Sequence, residues 1–201
     1  MLMFVCINAN MSNSSSTSDI LELEDSAFDG CQRLGRIIVP NDDYIYNEYV
    51  AEFASQGFEN MVVRETAGLN FTLLGNGTYE VSKGTNPLVG EIIIPATYDG
   101  KPVTRIADYG FINCAIEDVI IPSSIEAIGE NAFANCDNLG MAILLRTAAD
   151  GITNISATAF EGSDNVCFRV FDEASYYAYY EQFVSVGAVD LAQYIQFIMY
   201  I

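Results

Sequence analysis

Residues 106–136 read IADYGFINCAIEDVIIPSSIEAIGENAFANC, and one order of residue types occurs twice within them. An aliphatic residue (Ile106, then Ile128) is followed five positions later by a phenylalanine (Phe111, then Phe133). The residue before each phenylalanine is small (Gly110, Ala132), and a cysteine stands three positions after it (Cys114, Cys136). Between the two copies lies Val119-Ile120-Ile121-Pro122, a β-branched run closed by proline. Such a run reads as a short strand that stops at the proline.

The pattern extends in both directions. An earlier copy holds Leu23, Ala27-Phe28, Cys31, Leu34 and Ile37-Ile38-Val39-Pro40. The copy at Phe133 continues through Leu139 into Ala142-Ile143-Leu144-Leu145. A later copy holds Ile155, Ala159-Phe160, Ser163, Val166 and Phe168-Arg169-Val170-Phe171, and an extra strand, Ile92-Ile93-Ile94-Pro95, precedes Phe111. Successive phenylalanines are 22 residues apart (Phe111 to Phe133) and 27 apart (Phe133 to Phe160). Periods in this range belong to leucine-rich repeats. Each unit offers one strand and one Phe-bearing turn, neither of which can bury its apolar side alone, so stacking the units is what closes a core. A small residue before Phe lets neighbouring units approach closely. The cysteine behaves as a small buried group with a weak donor, and Ser163 in its place fits a structural role rather than a redox or metal one.

These residues resemble the BspA-like leucine-rich-repeat family. The likeness is close from Phe71 to Phe133, through NGTYEV, IIIPATYDGKPVTRIADYGFINC and IEDVIIPSSIEAIGENAFANCDNL. Asp99-Gly100-Lys101-Pro102-Val103 looks like the family's turn in its first repeat, and a looser likeness runs from Asp19 to Phe183. The departures are Leu145, where proline is usual, and the irregular strand Phe168–Phe171. The resemblance implies an α/β repeat fold: a short solenoid of stacked β-strands with irregular Phe-bearing turns and helical caps. It also implies a cell-surface or secreted protein that makes adhesive or protein–protein contacts without a cofactor.

A larger repetition relates Phe28–Phe53 to Phe160–Phe183. In both, a strand leads into an acidic turn (Asn41-Asp42-Asp43; Asp172-Glu173) and then a tyrosine-rich segment. Tyr46, Tyr49, Val50 and Phe53, like Tyr176, Tyr180, Phe183 and Val184, fall at helical spacing, and acids suit a helix N-terminus. Each segment is expected to be a short helix that caps an array, with Met61–Val63 and Tyr194–Ile201 as terminal strands or further cap pieces. The expected organisation is a flexible leader at 1–18, a partial repeat unit with its helix at 19–65, and a repeat array with a C-terminal helical cap at 69–201. The leader contains the polar tract NANMSNSSSTS at 8–18; the apolar Leu2–Ile7 before it has no basic flank and is short for a signal-peptide core.

Charge and composition narrow the function. The 201 residues carry 27 acids, 8 bases and a formal net charge of −19. That balance repels phosphate backbones and anionic membrane surfaces, so neither nucleic acid nor membrane insertion is expected. The longest apolar runs fall short of the roughly 18 residues of a bilayer span. The absence of histidine excludes Ser-His-Asp and Cys-His catalysis and His-ligated metals. Asn41-Asp42-Asp43 and Asp164-Asn165 are calcium candidates, but no D-x-D-x-D-G loop accompanies them, so they read as solvated turns and no metal or cofactor is expected. Asn-x-Ser/Thr acceptors stand at Asn10, Asn13, Asn70, Asn76 and Asn154 and matter only in a eukaryotic secretory setting.

Alternation along the strands yields a candidate surface. With the residue before each proline facing inward, Ile38, Ile93, Ile120 and Ile143 face outward, with Arg169 next in line and Glu91 and Asp118 as a charged rim. An aliphatic ladder with such a rim on an open sheet face is a candidate protein-binding surface; cross-strand packing alone, or cover by a cap or neighbouring domain, would leave it without a partner. Tyr176, Tyr177, Tyr179 and Tyr180 either contact a ligand or pack one face inward with wet hydroxyls. The sequence thus points to a non-catalytic protein-binding or adhesion module whose partner is a protein. The alternative is a structural assembly subunit, such as a virion or surface-layer component, that self-associates through its repeat ends.

Overall fold

The computed structural model describes residues 3–6, 34–54 and 62–197. The chain divides into two compact units, residues 1–67 and 68–201.

In the first unit, β1 (Met3–Cys6), β2 (Leu34–Val39) and β3 (Val62–Arg64) form a parallel sheet in the order β1-β2-β3. Helix α1 (Asp43–Ala54) connects β2 to β3 and buries Tyr49 and Phe53. Within the segment expected as a flexible leader, Met3–Cys6 is an apolar run that pairs with β2; the rest of that segment lies outside the described residues. The repeat copy at Leu23–Cys31 lies outside the described residues.

The second unit opens with β4 (Asn70–Leu73) and β5 (Tyr79–Ser82), an antiparallel hairpin. There follow β6 (Val89–Ile93), β7 (Thr97–Tyr98) and β8 (Lys101–Ile106). Asp99 and Gly100 join β7 to β8 with φ of 48° and 68°, the two left-handed residues that a tight hairpin turn demands. Then come β9 (Ala115–Ile121), β10 (Ala127–Ile128), β11 (Met141–Leu144), β12 (Asn154–Ile155) and β13 (Cys167–Val170). Helices α2 (Glu173–Ser185) and α3 (Val189–Ala192) and strand β14 (Ile195–Phe197) complete it. One sheet runs β12-β10-β8-β5-β4, with β7 on β8, and the other runs β14-β13-β11-β9-β6. The second is parallel throughout.

The core lies between these two sheets. Val81, Val103, Ile106, Ile128 and Ile155 come from one, and Ile92, Val119, Ile121, Ala142, Leu144 and Phe168 from the other. The repeat phenylalanines stack along the middle: Phe111 on Phe133 at 5.2 Å and 7°, and Phe133 on Phe160 at 5.1 Å and 11°. Phe160 then meets Phe168 edge-on, and Phe168 meets Phe183 of α2.

Every odd feature of the motif serves this stack. The Phe111 N–H donates to Ala132 O and the Phe133 N–H to Ala159 O, both at 2.7 Å. Room beside the phenylalanine is small: a Cβ on Gly110 would stand 2.9 Å from Ala107 O of its own turn and 3.4 Å from Val81 O of the neighbouring strand, and the other copies hold nothing larger than alanine. The third position after Phe supplies a donor to the preceding unit. Cys136 Sγ reaches Phe111 O at 3.2 Å, and Ser163 Oγ reaches Phe133 O at 2.7 Å. Burial pushes the Cys136 thiol up to about 11, so it keeps its proton and donates at neutral pH. The exchange of Cys for Ser therefore preserves a hydrogen bond. Two residues after Phe, the chain turns left-handed at Asn113, Asn135 and Gly162, with φ of 57°, 54° and 74°. Asparagine and glycine are the residues that tolerate this.

Most of the longer spacing from Phe133 to Phe160 is absorbed between β11 and β12. Arg146 clamps that loop: its guanidinium donates to Gly151 O, to Ser123 O at 2.7 Å and to Asp150 O at 2.7 Å.

Helix α2 lies along the free edge of β12. Ser175, Tyr179 and Gln182, at i, i+4 and i+7, share one face. Ser175 Oγ accepts from Ala148 N at 2.9 Å, and Tyr179 OH accepts from Thr153 N at 3.0 Å. Gln182 accepts from Ile155 N at 3.4 Å and donates to Thr153 O at 3.0 Å. Edge groups that a further strand would have bonded are met by side chains. The helix also departs from the expected spacing: it buries Ser175, Tyr179 and Phe183, leaving Tyr180 and Val184 exposed.

The isoleucine ladder is corrected as an open surface. Ile93, Ile120 and Ile143 do stand in one row on the side of the sheet away from the core, in direct register. They are nevertheless buried, at 4%, 1% and 6% exposure. Ile38 is buried too, and it belongs to the three-stranded sheet of the first unit, between Cys6 and Val63. The physical signal was in the runs themselves. Ile92-Ile93-Ile94 and Val119-Ile120-Ile121 are uninterrupted aliphatic stretches, the pattern of parallel strands buried on both faces. Alternation separates two faces but says nothing of whether the outer one is wet.

Two substitutions check this packing by chemical denaturation of the full chain. Cys136→Ala leaves the Phe111 carbonyl with only the Cys114 N–H, at 3.3 Å, and is expected to cost about 1 kcal/mol, while Cys136→Ser restores a donor and loses clearly less. Ile120→Glu places a carboxylate in an apolar row and is expected to destabilise by roughly 3 kcal/mol or more; a stable, folded Ile120→Glu would show the row to be open.

Candidate functional site

The rim residues stand where alternation places them. Glu91 is exposed and Asp118 half-buried, and they face one another across β6 and β9. Their row continues through Met141 to Cys167, both half-buried. The row holding Ile93, Ile120 and Ile143 continues to Arg169 and Gln196. Its character changes along the way: the isoleucines are buried, Arg169 is half-buried and Gln196 is exposed. The accessible part of this face is thus its acidic rim and its end at β13 and β14.

The groups with intrinsic reactivity are engaged in structure. Cys114 and Cys136 are buried and Cys167 is half-buried, and burial raises all three thiols. The Cys167 thiol donates to Tyr194 O at 3.2 Å. Tyr179 is raised by burial as well, and its hydroxyl donates to Arg146 O at 3.1 Å. An open cleft between 83–89 and 113–115 is lined by Lys83, Asn86, Leu88, Asn113 and Cys114. Its one cation is occupied, since Lys83 Nζ donates to Ile112 O at 2.6 Å. Lys83 also gives its N–H to Gly110 O, so this residue meets two carbonyls that a preceding unit would have met.

Of the calcium candidates, Asp164-Asn165 lies in a turn and Asn41-Asp42-Asp43 leads into α1. Asp42 Oδ1 accepts from Tyr44 N at 2.9 Å, and Asp43 pairs with Arg64 at 2.5 Å. Among the described residues, no group of three or more potential ligands gathers around a point, and no helix is long and apolar enough to cross a membrane.

The sequence reading missed the polar row of α2. Ser175, Tyr179 and Gln182 carry the edge contacts, whereas the aromatic spacing drew attention to Tyr176 and Tyr180. The available signal was Asp172 followed three residues later by Ser175, a helix start in which Asp172 Oδ1 accepts from Ser175 N at 2.7 Å. That start fixes the phase of the whole helix.

No curated protein matches the chain. A leucine-rich repeat protein of T. pallidum has a similar solved structure, with 25% identity and a TM-score of 0.46 over 51% of this chain and 48% of that one. A leucine-rich cell surface protein from Faecalibacterium prausnitzii A2-165 is similar at 25% identity and a TM-score of 0.43, over 51% of this chain and 28% of that one. The chain thus spans less than half the length of either protein. The family described as the BspA type leucine-rich repeat region matches residues 3–82 and 89–184 in six copies. Most of the sequence is covered by those copies, and the chain belongs to the BspA-type leucine-rich repeat family.

Proposed function

We propose that this chain is a non-catalytic protein-binding module of the adhesion type, displayed at a cell surface or secreted. In this reading its units form two short solenoids, a partial one within residues 19–65 and a fuller one over 69–201, each ended by its helix. Family membership supports a binding role. The observation that carries the non-catalytic part is the use of the reactive side chains. The Cys136 thiol, the Ser163 hydroxyl and the Tyr179 hydroxyl are all spent on backbone carbonyls within the repeat stack. Chemistry is consumed in building a scaffold, and what that scaffold offers is surface.

The partner contact is proposed at the accessible part of the parallel sheet's outer face. Glu91 and Asp118 remain as rim contacts, joined by Arg169 and Gln196 at the other end of the rows. Ile93, Ile120 and Ile143 share that face but are buried, and they and Ile38 of the first unit are not proposed to touch the partner. Charged rims of this kind set orientation and association rate more than affinity.

Beads coated with the chain are expected to adhere to cultured epithelial cells. Glu91→Lys with Asp118→Lys, and separately Arg169→Glu, should each reduce adhesion about threefold or more without loss of folding. Light scattering should give a monomer. Beads that adhere no better than uncoated ones would overturn the adhesion reading, and an ordered oligomer in solution would favour an assembly subunit.

A further inference from the structure

Eleven large apolar or aromatic side chains are exposed among the described residues, and six of them fall between residues 177 and 194: Tyr177, Tyr180, Val184, Val186, Val189 and Tyr194. Three lie on α2 at i, i+3 and i+7, turned away from the face that carries Ser175, Tyr179 and Phe183. Tyr177 is 56% exposed, Tyr180 42% and Val184 43%. An amphipathic helix keeps that side polar, so an aromatic stripe there is out of place unless something covers it. The rings are already ordered. Tyr176 contacts Tyr177 edge-on at 5.3 Å and lies near-parallel to Tyr180 at 6.3 Å, bracing both exposed rings from the half-buried side.

The charge carried by the segment itself has one sign. Residues 170–197 contain Asp172, Glu173, Glu181 and Asp190 and no lysine or arginine. Asp172 is used within the helix start, where it accepts from Ser175 N and Ser175 Oγ. Glu173 and Glu181 are exposed and lie one helical turn before and after Tyr177, directly beside the stripe. A second copy brought to this face would set these acids against their own kind. An anionic lipid surface would be repelled in the same way. A cation is drawn instead by the carboxylates, by the electron-rich faces of the tyrosines, and at longer range by the net charge of −19.

We propose that the outward face of α2 is a second docking surface, distinct from the sheet face, and that its occupant is a cationic amphipathic segment of a protein partner. Aliphatic side chains of that segment cover Tyr177, Tyr180 and Val184, and its lysines or arginines meet Glu173 and Glu181.

The test uses the full chain and a labelled helical leucine–lysine peptide, with oligolysine of equal charge and a leucine–glutamate peptide as comparisons, read by fluorescence anisotropy. The leucine–lysine peptide is expected to bind about tenfold or more tighter than oligolysine, with no binding of the leucine–glutamate peptide. Tyr177→Ser with Tyr180→Ser and Val184→Ser should weaken it about tenfold, and Glu173→Gln with Glu181→Gln should weaken it several-fold and flatten its salt dependence. Circular dichroism reports whether the triple variant is folded. Should it not be, Tyr177→Arg alone, which sets a cation in the stripe, is expected to produce the same loss. Equal affinity for oligolysine, or unchanged affinity in the stripe variants, would reduce the effect to general attraction by an acidic chain and overturn the proposal. A dimer in light scattering that the stripe variants dissolve would also overturn it, because a second copy would then own the face.

Discussion

The separation between successive phenylalanine rings governs this structure. Phe111, Phe133 and Phe160 repeat at 5.2 and 5.1 Å, close to the distance of about 4.8 Å between hydrogen-bonded strands. A ring that repeats at nearly the strand spacing advances with the sheets, so strand pairing and ring stacking form in one register. The rest of the motif follows from holding units this near. The residue before Phe must be small because its carbonyl takes the hydrogen bond from the neighbouring Phe N–H. The carbonyls of Phe111 and Phe133 are buried, and the next unit brings each a side-chain donor. Where the spacing lengthens to 27 residues, the excess is expelled into the loop that Arg146 clamps, and the rings keep their distance.

That constraint explains how much could be read without coordinates. The small residue, the phenylalanine and the Cys or Ser at Phe+3 are side-chain identities imposed by stacking, so they recur in the sequence and reveal the repeat. The left-handed turn at Asn113, Asn135 and Gly162 left the same kind of trace and went unread, because two residue types share the task. The candidate surface was only half legible. Alternation assigned Ile93, Ile120 and Ile143 to the outer side of the sheet, and the register agrees. Their burial is a matter of what stands over that side, which period-two reasoning does not address. Continuous aliphatic runs were the better guide. The phase of α2 was misjudged for a related reason: large aromatics were weighed for burial, while the polar Ser175 and Gln182 were drawn inward by unpaired backbone groups at the edge of β12.

The two ends of the sheet that contains β12 are closed by different chemistry. At the start, β4 folds back antiparallel on β5, and Lys83 supplies an N–H and an ammonium to carbonyls of the first turn. At the finish, three side chains of one helix take up the edge. The helix leaves few unpaired backbone groups at β12 for a stray strand to find, which matters in a protein built from short aliphatic strands.

The donor exchanged between neighbours at Phe+3 has a further consequence for how such a chain can evolve. Each unit takes from one neighbour and gives to the other on identical terms, so an interior unit carries no record of its place in the series. Duplication of the unit between Phe111 and Phe133 would leave Lys83 with Gly110 and Ile112, and α2 with Ala148, Thr153 and Ile155, as its partners. The number of units is thereby free to drift, with stability rising as interfaces are added. Reach and contact area become quantities that recombination can tune in whole steps, without redesign of any residue.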